Sequence, residues 1–155
     1  KGENMEVGIK KREEILEEAE KIINSWGLKM PDFNILVLDF GLGEFEKTGH
    51  IEYWIVNREK ANYCGKFIFM FKGQTCPEHF HKSKDETFFV VKGKVKMVMA
   101  GKNIILNKGE TLIMPVKTKH SFTSIEDTLI LEVSQLSILE DNFFTNKKIK
   151  MGGVK

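Results

Sequence analysis

Three histidines and one glutamate are the residues of this chain best suited to hold a metal ion. His79 and His81 alternate, so on an extended strand both rings point to the same face. Glu86 follows five residues later, and His120 comes after a further predicted hairpin. Three imidazoles and a carboxylate suit a divalent first-row metal, and four protein ligands on an octahedral ion leave two positions for water or substrate. The alternative is that His79 and His81 are ordinary surface histidines.

Short strands must position these side chains. After Pro31 the sequence consists of brief runs rich in Val, Ile, Phe and Thr, each ended by turn residues such as Lys92-Gly93. The predicted strands are 35–40, 52–57, 66–72, 86–91, 94–100, 103–106, 111–114, 120–124 and 128–134. Strands at this spacing without intervening helices predict an all-β fold, an antiparallel sandwich or barrel.

One helix precedes the strands. Between Lys10 and Gly27 the apolar residues recur at intervals of three and four, which predicts an amphipathic helix with a charged outer face. We expect a helical segment 1–30 packed on a barrel 31–149, followed by a flexible tail 150–155. The sequence leaves open whether residues 1–4 are native or a remnant of expression.

Composition limits the classes of function. The chain has 155 residues, of which 41% are hydrophobic and 30% charged, a profile typical of one folded domain. Its net charge is +2 with the signs interleaved, which predicts no nucleic-acid or membrane partner. No apolar run approaches the roughly 18 residues of a membrane span, and the charged stretch 10–21 lacks the apolar core of a signal peptide. Cys64 and Cys76 make no disulfide framework, which favours a cytoplasmic location.

Glycines frame the histidines in a recognisable pattern. Five residues separate Gly73 from His79, one separates His79 from His81, four separate His81 from Glu86, and six separate Glu86 from Gly93. This spacing matches the first motif of the cupin superfamily position by position. The second cupin motif is present as Gly109, five residues, Pro115 and then His120, with Lys117 and Ser124 where Gly and Asn are usual. The resemblance implies a cupin double-stranded β-helix, or jelly-roll barrel, with a metal site. It says little about the reaction, since cupins include oxygenases, isomerases, epimerases, decarboxylases and binding modules.

Further segments resemble one family of cupins, the D-lyxose isomerases. They are Asp39–Gly43, Tyr63–Lys66, Gly73–His79, Lys119-His120, Glu132–Ser134 and Phe144-Thr145. The resemblance implies that His79, His81, Glu86 and His120 bind manganese, with Fe²⁺, Zn²⁺, Co²⁺ and Ni²⁺ as other candidate ions. It also places a glutamate and a lysine at the positions of Glu132 and Lys84.

Glu132 and Lys84 are therefore the expected acid–base pair. Glu132 interrupts the apolar run 129–133, where a carboxylate is costly unless it faces a polar cavity, and burial would raise its pKa toward that of a useful base. Lys84, two residues before Glu86, can donate a proton or hold a sugar oxygen. The sequence leaves open which of the two abstracts the proton, and the alternatives are an outward-facing glutamate and a solvated loop lysine.

Lys66 and Tyr53 are the expected substrate-binding residues. Lys66 lies on the strand before the first motif and matches the family, and Tyr53 is expected at the barrel mouth, where aromatic rings stack against sugars. A lysine on the rim of the barrel and a tyrosine in the core or an interface are the alternatives.

The resemblance implies a metal-dependent aldose–ketose isomerase. We expect it to convert a free sugar, D-lyxose to D-xylulose or D-mannose, through a cis-enediol. Arg12 and Arg58 are the only arginines, so no arginine cluster marks a phosphate site. The alternatives are a dioxygenase with iron at the same ligands and a non-enzymatic cupin that binds sugar or regulates another protein. Exposed apolar strand faces also predict a homodimer.

Overall fold

Two antiparallel sheets and one helix make up most of residues 5–153, the part of the chain that this computed structural model describes. A short 3₁₀ helix at Leu139–Asp141 lies between the last two strands. The other elements are α1 (Ile9–Ser25), β1 (Ile35–Leu38), β2 (His50–Arg58), β3 (Tyr63–Met70), β4 (Thr75–Phe80), β5 (Glu86–Lys92), β6 (Lys94–Met99), β7 (Lys102–Asn107), β8 (Thr111–Met114), β9 (His120–Ser124), β10 (Thr128–Ser134) and β11 (Phe143–Phe144).

The main apolar core lies between the two sheets. The larger sheet has the strand order β1-β2-β3-β10-β5-β8, and the smaller has the order β11-β4-β9-β6-β7. Ile68, Phe88 and Ile130 from the larger sheet form one buried cluster with Val95 and Phe122 from the smaller. Alternation along each strand therefore sends one set of side chains between the sheets and the other set outward. This architecture confirms the predicted all-β fold.

Helix α1 packs on the outer face of the larger sheet. Ile15, Ala19 and Ile23 are buried and belong to a second apolar cluster with Phe69 and Leu129. The helix ends where the sequence predicts, because Gly27 adopts a positive φ of 72° that stops helical hydrogen bonding. No helix among the described residues is both long enough and apolar enough to cross a membrane.

Two strands were not predicted from the sequence. Strand β4 contains Pro77, which cannot donate to a ladder and breaks the apolar pattern, and β11 is only two residues long. Both belong to the smaller sheet, in which β4 lies between β11 and β9. The omission matters because β4 carries His79.

The end of the chain is described as far as Gly153. Within the predicted tail 150–155, Met151 packs against the main core, and the backbone N–H of Gly153 donates to the carbonyl oxygen of Asn142 at 2.9 Å. Residues 1–4 and 154–155 lie outside the described part, so the question about residues 1–4 and the last two residues of the tail are not addressed.

Candidate active site

Three imidazole rings meet between the sheets. His79 on β4 pairs directly with His120 on β9, and His81 follows the end of β4. The ring centroids lie 4.3 Å apart for His79 and His120 and 4.9 Å apart for His79 and His81. One nitrogen from each ring lies within 4.8 Å of the other two, and all three residues are buried. Strand pairing thus assembles a donor cluster from two separate sequence motifs.

Backbone carbonyls set the orientation of these rings. The Nδ1 atoms lie at hydrogen-bond distance from the carbonyl oxygens of three residues: 2.8 Å for His79 with Pro77, 2.9 Å for His81 with Asp141, and 2.9 Å for His120 with Thr118. A proton on Nδ1 leaves the Nε2 lone pair free to bind a metal. Burial, reinforced by the two neighbouring imidazoles, lowers the pKa of His79 well below its usual value, so this ring is neutral.

Glu86 lies beside two of the histidines. Its Oε2 atom is 3.3 Å from His81 Nε2 and 3.2 Å from His120 Nε2, and its Oε1 atom is 2.7 Å from Lys84 Nζ. Burial alone would raise the pKa of Glu86, but the Lys84 ammonium beside it holds that pKa well below its usual value. The carboxylate is therefore charged although it is only 2% exposed.

The residues present fit a divalent metal ion. His81 Nε2, His120 Nε2 and Glu86 Oε2 are buried and have no hydrogen-bond partner among residues 5–153. Three acceptor atoms that face one another repel unless a cation or protons lie between them. Neutral imidazoles with an ionised carboxylate are the donor set that first-row divalent ions prefer.

Glu132 and Lys84, the expected acid–base pair, lie close together beside this cluster. Nζ of Lys84 lies 3.3 Å from Oε2 of Glu132, which also accepts a hydrogen bond from the Ser134 hydroxyl at 3.3 Å. Glu132 is on β10, and its Oε1 atom lies 3.9 Å from Nζ of Lys66 on β3. Each of these three charged side chains is 3 to 6% exposed.

Asp141 positions the loop that carries Lys84. Its carboxylate accepts backbone hydrogen bonds from Lys82 at 2.8 Å, from Ser83 at 3.2 Å and from Lys84 at 3.1 Å. The carbonyl oxygen of the same residue contacts His81. Sequence reasoning did not identify Asp141, because its partners lie about sixty residues away and no local motif marks it.

A cavity of about 190 Å³ lies beside the histidine cluster. Its walls include His79, His81, Lys84, Glu86 and Glu132. A further wall is apolar and aromatic, formed by Phe40, Phe88, Phe122 and Phe144. Aromatic rings beside a few convergent polar groups are typical of small-molecule sites.

Comparison with known proteins places the chain in a family. The cupin domain model matches residues 67–138. A D-lyxose/D-mannose isomerase from Thermosediminibacter oceani is 34% identical in an alignment 145 residues long, and the match covers 76% of this chain and 79% of that protein. The chain belongs to the D-lyxose isomerase family of cupins.

Two other similarities accompany this assignment. Quercetin 2,3-dioxygenase from Bacillus subtilis is 34% identical over 99 residues, which are 61% of this chain but 29% of the dioxygenase. The structure of L-ribose isomerase from Cellulomonas parahominis with L-ribose superposes on this cupin with a TM-score of 0.74. At 17% identity, over 94% of this chain and 95% of that protein, the match shows a common fold. The predicted family and fold are confirmed.

Strand β2 of this cupin carries two polar site residues that sequence reasoning missed. Glu52 accepts a hydrogen bond from Lys66 at 2.7 Å, and His50 Nε2 lies 3.1 Å from the same carboxylate. Burial would raise the pKa of Glu52, but Lys66 and His50 hold it well below the usual value. The alternation of His50, Glu52 and Trp54 places all three on one strand face. The signal was present, but the predicted strand began only at Glu52.

Lys66 lines the cavity, whereas Tyr53 does not. Tyr53 packs against Ile51 and Phe69 in the cluster beneath helix α1, where burial raises the pKa of its phenol to about 12. Adjacent residues of a strand point to opposite faces, so Trp54 faces the cavity instead. Its ring lies under Lys66 Nζ, 4.5 Å from the ring centroid. Trp54 therefore contributes an aromatic ring to the cavity wall, whereas Tyr53 lies on the opposite face of the strand.

Proposed function

We propose that this cupin is an aldose–ketose isomerase that converts a free sugar, D-lyxose to D-xylulose or D-mannose, through a cis-enediol. The observation that carries the proposal is the Lys84–Glu132 pair, 3.3 Å apart, in the same cavity as the histidine cluster. The name of the Thermosediminibacter oceani relative supports the substrate class. Arg12 and Arg58 do not line the cavity, which supports a neutral rather than a phosphorylated sugar.

His79, His81, Glu86 and His120 would hold the metal, for which we propose Mn²⁺. Mixed imidazole and carboxylate donors support an ion of this kind, while the absence of thiolate ligands in the cluster argues against a structural zinc site. When bound, the ion supplies Lewis acidity toward the sugar oxygens at C1 and C2.

Glu132 is the proposed base. Its carboxylate lies 3.3 Å from Nζ of Lys84 and 3.9 Å from Nζ of Lys66 in the cavity wall, and it accepts a proton from C2 of the open-chain aldose. In the same step the Lys84 ammonium, which lies between two carboxylates, gives a proton to O1, and the enediol forms. Glu132 then returns its proton to C1 while O2 gives its proton to the neutral Lys84 amine, so the ketose forms and both side chains regain their starting protonation.

A dioxygenase is the second candidate, favoured by the similarity to quercetin 2,3-dioxygenase. That similarity extends over 29% of the dioxygenase, and an acid–base pair beside the ligands serves isomerisation more directly. The two reactions differ in their need for oxygen, which makes them separable by experiment.

The deciding experiment measures ketose formation from a panel of C5 and C6 aldoses by Mn²⁺-loaded protein under anaerobic conditions. Ketose formation without oxygen supports the isomerase, and Glu132→Gln should abolish it. Glu126→Gln, at a carboxylate whose side chain is 58% exposed, is the matched control and should retain full activity. No ketose from any sugar, with metal content verified, would end the proposal; oxygen uptake with Fe²⁺ would then favour the dioxygenase.

We also retain the proposals of a homodimer and a cytoplasmic location. Ile113 and Val133, on the outward face of the larger sheet, are 62% and 50% exposed, which supports pairing through that face. Both cysteines are buried free thiols, as in a reducing compartment. Light scattering tests the dimer, and Ile113→Lys should shift the measured mass toward that of the monomer.

A further inference from the structure

Five buried side-chain polar atoms have no hydrogen-bond partner within residues 5–153. Three of them, on His81, Glu86 and His120, belong to the proposed metal site. The other two are Nδ1 of His50 and Nε1 of Trp54, and the metal does not account for them. Both residues line the cavity. A polar ligand in the cavity is therefore the natural hydrogen-bond partner for His50 Nδ1 and Trp54 Nε1.

His50 offers a hydrogen-bond acceptor. Its Nε2 atom lies 3.1 Å from Glu52, a carboxylate that also accepts from Lys66 at 2.7 Å. Nε2 carries the proton in the tautomer that donates to that carboxylate, and Nδ1 then has a free lone pair. The ring is held in place: it is 4% exposed, stacks on Phe122 at an interplanar angle of 6° and meets Phe40 edge-on.

Trp54 offers a hydrogen-bond donor. Its indole N–H can only donate, and the ring is fixed by Lys66, whose Nζ atom lies over it. Trp54 lies four residues after His50 on β2, on the same face of the strand. Glu52 lies between them on that face. Along this face the strand therefore presents the His50 acceptor, the Glu52 carboxylate and the Trp54 donor in that order.

Buried polar contacts connect His50 with the proposed metal ligands. A chain of contacts runs from His50 through Glu52, Lys66, Glu132 and Lys84 to Glu86, with each successive pair 2.7 to 3.9 Å apart. Trp54 meets this chain at Lys66. All of these residues line the same cavity, so a ligand whose reacting carbons lie near Glu132 can extend toward the wall that β2 forms.

We propose that His50 and Trp54 form a second polar subsite, which binds the hydroxyl groups of the substrate that are remote from C1 and C2. The inference rests on the proposed isomerase function for the identity of the reacting carbons. A hydroxyl group both donates and accepts, so a polyhydroxylated chain satisfies the His50 acceptor and the Trp54 donor, whereas a hydrocarbon chain satisfies neither. Sites built to hydrogen-bond a hydroxyl discriminate strongly against analogues that lack it.

The test compares the aldose that the enzyme isomerises best with its 3-, 4- and 5-deoxy analogues. In the wild type, kcat/KM should fall by about tenfold or more for at least one analogue, because the buried atoms are then left unpaired. Trp54→Phe removes the indole N–H and keeps an aromatic ring, and His50→Gln keeps a donor to Glu52 and removes the Nδ1 acceptor. In each variant the ratio of kcat/KM for the hydroxylated sugar to kcat/KM for the deoxy analogue should fall toward one. Trp26→Phe is the matched control, since Trp26 packs beneath helix α1, and it should keep the wild-type preference.

A binding measurement separates this inference from the proposed function. If no aldose is turned over, calorimetric titration with D-arabinitol, the polyol obtained by reducing D-lyxose, still tests the subsite. Wild type and Trp26→Phe should bind it, and the cavity variants should bind it about tenfold more weakly or worse. Equal binding by folded Trp54→Phe and wild type, or equal use of all deoxy analogues by the wild-type enzyme, overturns the inference. Circular dichroism establishes folding, and Trp54→Phe keeps the test decisive if His50→Gln does not fold.

Discussion

Nζ of Lys84 lies 3.3 Å from Oε2 of Glu132 but only 2.7 Å from Oε1 of Glu86. Lys66, on the other side of Glu132, is likewise 3.9 Å from Glu132 but 2.7 Å from Glu52. Both lysines therefore bind another carboxylate more closely than they bind Glu132. Glu132 therefore has no lysine partner as close as those of Glu86 and Glu52, which leaves its carboxylate available to take up and return a proton.

Replacement of Glu132 by Gln should remove the base while the shape of the cavity is kept. We expect kcat to fall by about 10²- to 10⁴-fold, the usual contribution of general acid–base catalysis, with little change in KM. Steady-state kinetics on the preferred aldose measures this. Metal content should match the wild type because Glu132 contacts no proposed ligand, and an unaltered kcat would exclude Glu132 as the base.

Metal removal should abolish activity and lower thermal stability together. Dialysis against a chelator removes the ion, and the buried acceptors of His81, Glu86 and His120 are then left to repel one another. Binding of an ion to the folded state at a hundred times its Kd adds about 2.7 kcal/mol of stability, so Tm should rise as Mn²⁺ is restored. Calorimetry of His120→Ala is the companion measurement: a rise in Tm with Mn²⁺ equal to that of the wild type would contradict this metal site.

Asp141→Ala should distinguish the role of the loop that carries Lys84 from that of the metal cluster. The substitution removes the carboxylate that accepts backbone hydrogen bonds from residues 82–84, and each hydrogen bond to a charged group contributes about 1.5–3 kcal/mol. Contributions of neighbouring hydrogen bonds are not fully additive, so we expect the free energy of unfolding to fall by about 3–5 kcal/mol and kcat by about tenfold or more, with metal content retained. Denaturant unfolding and kinetics measure the two effects.

Asp127→Ala is the control for this variant. Asp127 also accepts a backbone hydrogen bond, from Lys72 at 2.8 Å, but it does not line the cavity. It should lose stability without losing kcat. Equal losses of kcat in both variants would mean that Asp141 acts through general stability alone.

The Glu52–Lys66 pair should make stability depend on pH in the acid range. Because the pKa of Glu52 in the folded protein is held below its ordinary value of 4.5, its contribution is complete above that pH and declines as the pH falls further. At pH 7, Glu52→Gln in the metal-free protein should lower the free energy of unfolding by about 3 kcal/mol, the cost of removing one partner of a buried ion pair. The difference in the free energy of unfolding between wild type and variant should become smaller from pH 4.5 to pH 3. A difference that grows over this interval would mean that the pKa of Glu52 is raised rather than lowered in the folded protein.

The sequence predicted the parts of the fold that leave a periodic pattern. The helix is visible in the spacing of Ile15, Ala19 and Ile23, and the motif histidines are visible through their framing glycines. One of these glycines, Gly93, has a positive φ of 83°, and a side chain there would collide with the carbonyl oxygen of Asp127. Patterns of this kind are local, so they survive in a single sequence.

The rest of the site depends on pairings between distant residues. Glu52 and Lys66 meet only because β2 and β3 are adjacent, and Asp141 reaches its loop across nearly sixty residues. Tyr53 was expected at the mouth of the barrel, but its neighbour Trp54 lines the cavity, since adjacent strand residues face opposite sides of the sheet. Only the register of β2 and β3, which the structure gives as Trp54 opposite Lys66, decides between the two.

The three imidazoles are oriented by main-chain oxygens of Pro77, Thr118 and Asp141 rather than by side chains. A main-chain acceptor is present whichever amino acid occupies the position, provided that the path of the chain is kept. Substitutions around the proposed metal ligands can therefore change which sugars are accepted without changing the orientation of the three imidazole rings. Variation in substrate preference within this framework is accordingly expected to arise on β2 and in the loops, while the metal centre stays the same.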